Sequence, residues 1–170
     1  MATNMNVSMR YSSFLPMLLT AMEKSTGDVL ELGAGVFSTP LLHWLCEKQK
    51  RKLVTIESDK GWLRFTRQYL QNNNHEFVYV SHWDEAAPVI NKEWDVVLVD
   101  HSPSQRRVVE IRTLANRAKY IVAHDADPWK EREYHYSTIY PLFKYRYIFD
   151  KADHHTAVFS NFSDLEDFKI

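Results

Sequence analysis

Carboxylates recur at the ends of short apolar runs in this chain. Glu31 lies within Val-Leu-Glu-Leu, Glu57 follows Leu-Val-Thr-Ile, and Asp84 comes soon after Phe-Val-Tyr-Val; Asp100 follows Val-Val-Leu-Val, and Asp125 follows Tyr-Ile-Val-Ala-His. A carboxylate so placed can accept hydrogen bonds from hydroxyl or ammonium groups, hold a hard cation, or move a proton. His101 and His124 stand beside two of these acids. A neutral imidazole near pH 7 can take a proton from a hydroxyl, so both are candidate general bases. Gly33, Ala34 and Gly35 come directly after the first run, and a turn with two glycines admits positive φ and close backbone approach to a ligand. Thr39 and Pro40 then read as an N-cap and a first helical residue. Strand, glycine turn and helix start in this order make a mouth for the polar part of a nucleotide-like cofactor. A dinucleotide fingerprint would need a third glycine where Ser38 stands. Glu31 would also repel a pyrophosphate, while suiting a cationic head such as an ammonium. Glu57, 24 positions after Gly33 and beside Ser58, is placed to accept both ribose hydroxyls.

The elements that must carry these groups alternate along the chain. Met1 to Ser8 is polar and read as loose. Phe14, Leu15, Leu18, Leu19 and Met22 have helical spacing, with Pro16 tolerable only in a first turn, so a helix is expected from about Ser13 to Lys24. Strands are expected near Val29–Leu32, Lys52–Glu57, Phe77–Val80, Trp94–Asp100 and Tyr120–His124. Helices are expected over Pro40–Lys50, over Lys60–Gln71 with Tyr69 and Leu70 inside and Asn72 to Asn74 as a stop, and over Ser104–Arg117 and Pro128–Phe143; a short helical piece is interrupted by Pro88. Tyr145–Phe149 and Thr156–Phe159 read as an antiparallel pair, followed by a polar, acidic tail from Asn161. The pattern predicts an α/β fold: an open, mostly parallel sheet closed by a C-terminal antiparallel hairpin, between two helical layers. In such sheets ligands sit outside the carboxyl ends of the strands. His154-His155 in the last turn is then expected at the opposite end. Arg106 and Arg107 read either as ligands for a carboxylate or phosphate or as a solvated helix face. Trp129, Tyr134, Tyr136 and Tyr140 read as pocket lining or as packing.

With 170 residues, 45% hydrophobic and 14% aromatic, the chain is one folded domain spanning residues 1–170. Lys plus Arg (21) nearly balance Asp plus Glu (22), which argues against a nucleic-acid partner and favours a small-molecule acceptor. The cations from Lys48 to Lys52 read as a solvated helix end. Cys46 is the sole cysteine, so no internal disulfide or thiolate cluster exists, and its place on an apolar face marks it as core. No apolar run reaches membrane-spanning length and no basic-then-apolar leader opens the chain, so a cytoplasmic protein is expected. Surface tyrosines and tryptophans are compatible with a homodimer.

Glu31-Leu32-Gly33-Ala34-Gly35 resembles the first motif of the class I S-adenosylmethionine-dependent methyltransferases, which read acidic-x-Gly-x-Gly. That resemblance implies a seven-stranded Rossmann-like fold, S-adenosyl-L-methionine as cofactor, and Glu31, Gly33, Ala34, Gly35, Glu57, Ser58 and Asp100 around it. It also implies Asp84 against the adenine amino group with Trp83 on the ring face, unless Asp84 is a loop acid beside a core tryptophan. Val99-Asp100-His101-Ser102 and His124-Asp125 are similar to metal-dependent O-methyltransferases, in which strand-end acids hold a Mg²⁺-type cation that orients a substrate hydroxyl. Catechol-type members carry Asp-Asn where this chain has His124-Asp125. On that resemblance Asp100, His101 and His124 are the catalytic candidates and Asp100 and Asp125 the metal candidates, with Asp127 close by. The expected activity is methyl transfer (EC 2.1.1.-) to the oxygen of a small hydroxylated or acidic acceptor. An aminopropyl transferase or cofactor-cleaving lyase on the same fold, and a non-catalytic binding subunit, stay open beside it.

Overall fold

A computed structural model describes residues 8–68 and 74–170. Met1 to Val7, Tyr69, Leu70 and Asn72 therefore lie outside the described residues. Seven strands form one sheet: β1 (Val29–Leu32), β2 (Leu53–Glu57), β3 (His75–Tyr79), β4 (Trp94–Val99), β5 (Ala118–His124), β6 (Tyr145–Phe149) and β7 (Thr156–Ser160). Their order is β3-β2-β1-β4-β5-β7-β6; β7 runs antiparallel to β5 and β6, and the other neighbours are parallel. The expected α/β architecture with a closing hairpin is the one observed.

The strands β1, β2, β4 and β5 are buried on both faces, which explains their nearly continuous apolar reading. Alternation splits their side chains between two cores. Leu30, Leu32, Ile56, Val97, Val99 and Ile121 meet Trp83, Ile111 and Tyr136 on one face. Val29, Leu53, Val96, Leu98 and Val122 meet Phe14, Met17, Leu42 and Cys46 on the other. That second layer is α1 (Leu15–Glu23), which admits Pro16 in its first turn, and α2 (Ser38–Gln49). The helix α3 (Lys60–Arg67) starts on an Asp59 side-chain cap. Pro88 opens the four-residue α4 (Ala87–Ile90) rather than interrupting a helix, because its missing N–H costs nothing in a first turn. A single 3₁₀ turn precedes α5 (Arg107–Leu114).

Three local expectations are corrected. The helix α2 begins at Ser38 without a side-chain cap, because the Thr39 hydroxyl is drawn inward to Glu31 and the Gly35 N–H. The stretch from Pro128 to Phe143 is not one helix: α6 (Glu131–Tyr134) ends at His135 in the left-handed region, and 3₁₀ turns succeed it. Arg51 is buried, not solvated, and donates to the carbonyls of Met22, Ser25 and Gly27. The C-terminal tail docks, with Leu165 and Phe168 buried against the α1 side of the sheet. No helix among the described residues is long and apolar enough to cross a membrane.

Candidate functional site

The chain leaves β1 for β2 on one side and returns to β4 on the other, so the strand order switches beside β1. Register aligns the strand ends: Leu32 pairs with Ile56 and Val99, and Val99 pairs with Ala123. Gly33, Glu57, Asp100 and His124 thus emerge at one level. A cavity of about 470 Å³ opens there, with Ala34 to Ser38, Glu57 to Asp59, Asp100 to Ser102, and His124 and Asp125 in its wall. Phe14 and Tyr11 close one side, and Arg107, Lys130, Tyr134 and His154 another.

At the β1–β2 end the turn is held from below. Gly33 has φ +96°, and a Cβ there would lie 2.5 Å from the Asp100 carbonyl oxygen. Gly35 needs no positive φ; a Cβ would meet Ser38 Oγ at 2.7 Å. Glu57 Oε2 accepts from Ala34 N at 2.8 Å, and Oε1 accepts from Ser58 N and Asp59 N at 2.7 Å each. Burial pushes the Glu57 carboxyl up, and these three N–H groups work against that push. Two lone pairs on Oε1 are thereby used and one remains on Oε2, so Glu57 can take one further hydroxyl rather than two. Glu31 is fully buried beneath the turn and outside the cavity wall, accepting from Thr39 and Thr55. Gly35 N donates to Thr39 Oγ1 at 2.9 Å. With the Ala34 and Gly35 N–H groups both committed inside the protein, the turn does not offer them to a phosphate.

At the β4–β5 end four charged groups interlock. His124 Nδ1 lies 3.2 Å from Asp100 Oδ1, and its Nε2 lies 2.8 Å from Ser13 Oγ. The Arg107 guanidinium is buried and reaches Asp100 at 3.0 Å, Asp125 at 3.4 Å and the carbonyls of His101 and His124. Burial opposes its charge, but Asp100, Tyr136, Tyr134 and Asp125 more than offset this and raise its pKa. Lys130 Nζ sits 2.6 Å from Asp125 Oδ1, and Tyr134 donates to Oδ2 at 2.9 Å. Burial disfavours the Asp125 anion, yet His124, Lys130 and Arg107 together hold its pKa down at about 2. Asp125 also adopts φ +62°, a costly conformation for a non-glycine residue, and the clamp on its carboxylate keeps it there.

Asp100, His124 and Asp125 bring ligand atoms within 4.8 Å of one another, and so do Asp125, Asp127 and His154. Arg107 holds Asp100 Oδ1 and Asp125 Oδ2, and Lys130 holds Asp125 Oδ1, so a divalent cation in either group would compete with these side chains for the Asp125 carboxylate. The arrangement therefore suits fixed cations better than a metal ion.

The remaining predicted residues divide between the wall and the surrounding structure. His101 is in the wall, but its ring is buried, tilted against Trp83 with centroids 3.9 Å apart, and Nε2 lies 3.2 Å from Glu110 without an aligned hydrogen bond. Burial lowers its pKa, and Glu110 only partly restores it. Trp83 donates to the Ser102 carbonyl, and Asp84 is exposed and pairs with Arg106; neither is in the cavity wall. His154, expected at the far end, is in the wall, 3.3 Å from Asp127, because the β6–β7 hairpin turns at the same end as the strand ends. Arg107 was legible in part: spacing with Ile111 and Leu114 puts it on the inward face of α5. Lys130 and Ser13 carry no such signal, since Lys130 acts from a short 3₁₀ turn and Ser13 from the turn before α1.

No protein-family model matches the chain, and no curated protein matches it as a relative. Solved structures do match. A spermidine synthase from Thermotoga maritima superposes with TM-score 0.68 at 16% identity, over 95% of this chain and 62% of that one. Cofactor-bound Rv0187 from MTB gives 0.64 at 17% identity, over 94% and 84%. A human methyltransferase 10 domain containing protein gives 0.60 at 12%, over 91% and 83%. The chain spans about three fifths of the length of that spermidine synthase. At these identities the likeness establishes the fold: the chain has the class I S-adenosylmethionine-dependent methyltransferase fold, which spermidine synthases share.

Proposed function

We propose that this cavity binds S-adenosyl-L-methionine and that the chain transfers its methyl group to an oxygen of a small hydroxylated or acidic acceptor. The observation that carries this reading is the union, in one cavity, of a glycine turn locked to Glu57 with an Asp100–His124 pair at the ends of β4 and β5. The residues present fit such a cofactor: Glu57 retains an acceptor site for a ribose hydroxyl, and the committed N–H groups of the turn speak against a phosphate-bearing ligand. When bound, the cofactor would supply a methyl on a sulfonium, open to in-line displacement.

The protein's part is to position the nucleophile and remove its proton. Asp100 accepts from His124 Nδ1–H and so leaves the lone pair on Nε2, where Ser13 now donates. An acceptor hydroxyl that replaces Ser13 would deliver its proton to Nε2, and Asp100 would face the resulting imidazolium. Arg107 fixes both Asp100 and Asp125. Lys130, partly exposed in the wall, supplies positive charge toward an acidic acceptor. In this reading Arg107 and Lys130 stand where a divalent metal would otherwise be placed.

A second reading, aminopropyl transfer, is supported by the fold shared with the spermidine synthase. The deciding experiment is calorimetric titration with S-adenosylhomocysteine, then radiolabelled methyl transfer to hydroxylated and carboxylated acceptors and, in parallel, decarboxylated cofactor with diamines. Saturable 1:1 binding is expected, and Glu57→Ala should weaken it by roughly 10-fold or more through loss of a charge-assisted hydrogen bond. A folded protein that binds no S-adenosylhomocysteine would defeat the methyl-transfer reading, and one that is also silent with decarboxylated cofactor and diamines would defeat both.

A further inference from the structure

Beneath the glycine turn a line of buried polar side chains crosses the sheet. His43 Nδ1 is 3.0 Å from His75 Nδ1, and His75 Nε2 is 2.7 Å from Thr55 Oγ1. Thr55 Oγ1 donates to Glu31 Oε2 at 2.6 Å, and Thr39 Oγ1 donates to both Glu31 oxygens at 3.0 Å. Thr39 Oγ1 in turn accepts Gly35 N–H at 2.9 Å. Glu31, Thr39 and Thr55 have no exposed surface, and His43 and His75 are buried. Thr55 stands directly across from Glu31 in the β1–β2 register, so the line runs along the sheet, one strand to the next.

Proton counting gives this line a direction. Above pH about 7 Glu31 is ionised and can only accept, so each threonine spends its single hydroxyl proton on it. Thr55 can then only accept from His75, which requires the Nε2–H tautomer. A neutral His75 of that tautomer carries no proton on Nδ1, so His43 donates from its own Nδ1. Thr39, likewise spent, can only accept from Gly35. Each hydroxyl orientation is set by the one before it, and the last of them reaches the backbone at the cavity mouth.

We propose that Thr55 and His75 are positioning residues for the cofactor, which orient Glu31 so that its carboxylate holds Thr39 against Gly35 and fixes the turn. Glu31 then acts through Thr39, without touching the ligand. The proposal rests on the reading of the cavity as a cofactor site. Polar groups this buried are costly in a core unless every member is satisfied, and this line ends at the glycine turn, which lines the cavity.

The test compares wild type with Thr55→Val, which keeps shape and removes the hydroxyl, and with Thr55→Ser, which restores it. S-adenosylhomocysteine affinity is measured by calorimetry well below each unfolding midpoint, and the Gly35 amide resonance is monitored by ¹⁵N NMR. Thr55→Val should weaken binding about 10-fold, the scale of one buried hydrogen bond, and shift the Gly35 amide. Thr55→Ser should restore both. Should Thr55→Val fold poorly, Thr39→Val cuts the line one step nearer the turn and should move the same two readouts. A Thr55→Val protein with lowered stability but wild-type affinity and an unmoved Gly35 amide would overturn the proposal. If wild type binds no S-adenosylhomocysteine, the cofactor reading falls, and the Gly35 amide alone then decides whether Thr55 sets the turn.

Discussion

At the β1 and β2 ends of the cavity the carboxylates of Glu31 and Glu57 rest on hydroxyls and backbone N–H groups. At the β4 and β5 ends those of Asp100 and Asp125 rest on Arg107 and Lys130. Neutral donors leave a buried carboxylate close to its protonation point, and Glu31 is pushed up to about 7 by burial, against the pull of Ser38, Thr55 and Thr39. Formal cations do the opposite and hold Asp125 at about 2. One end thus holds its carboxylates with neutral dipoles, and the other with cations that keep Asp125 ionised down to about pH 2.

The largest effect should come from breaking the charged end. Arg107→Met leaves Asp100 and Asp125 facing one another with the buried guanidinium gone. Stability in urea should fall by about 3–5 kcal/mol, the usual result of removing one partner from a buried ionic group. Arg117→Met, which loses an exposed pair with Glu93 and an exposed hydrogen bond to the Asn91 carbonyl, should cost no more than about 1 kcal/mol. Equal losses in the two variants would mean that Arg107 does not carry the cluster.

Next in size is the pH dependence, where the two ends should differ in sign. Glu31 has an ordinary pKa of 4.5 and about 7 in the fold, so the native state binds the extra proton between those values. Its contribution is complete below 4.5 and is lost as pH rises toward 7, by up to about 3 kcal/mol at 1.36 kcal/mol per unit. Asp125 contributes above its ordinary 3.8, and that contribution is lost as pH falls through about 2. Glu31→Gln should therefore flatten the stability profile between pH 4.5 and 7 and leave the acid limb as it is. A profile equally steep in that window for the Glu31→Gln variant would remove Glu31 as its source.

The same contrast explains what was legible in the sequence. The succession of strands along the chain, the closing hairpin and the β1–β2 turn are legible in apolar runs punctuated by Gly33 and Gly35, because backbone rules act within a few residues. Glu57, at the end of the second run, lies in the cavity wall for that reason. The charged end is assembled from α5, from the 3₁₀ turn carrying Lys130, from the β6–β7 turn with His154, and from Ser13 before α1. Those contacts span up to 111 residues of sequence, and local pattern holds no record of them. Glu31 was placed on the correct strand but given a ligand-facing role. Alternation puts it on the α2 side with Val29, where Thr39 and Thr55 await it.

The smallest effect expected is that of a divalent metal on the wild-type protein, and it sharpens the comparison most. Asp100 and Asp125 have the oxygen donors that Mg²⁺ prefers, and His124 completes a compact set. Their charge, however, is already answered by cations that no chelator removes. Thermal midpoint and S-adenosylhomocysteine affinity should be the same in excess Mg²⁺ and in EDTA. Lys130→Ala uncovers Asp125 Oδ1 and removes one of the two fixed cations. In that variant Mg²⁺ should raise the midpoint in a concentration-dependent way, as any ligand of the native state does. If wild type responds to Mg²⁺ as strongly as Lys130→Ala, the metal displaces Lys130 unaided, and the charged end is a metal site held closed by a lysine rather than a clamp made of side chains alone.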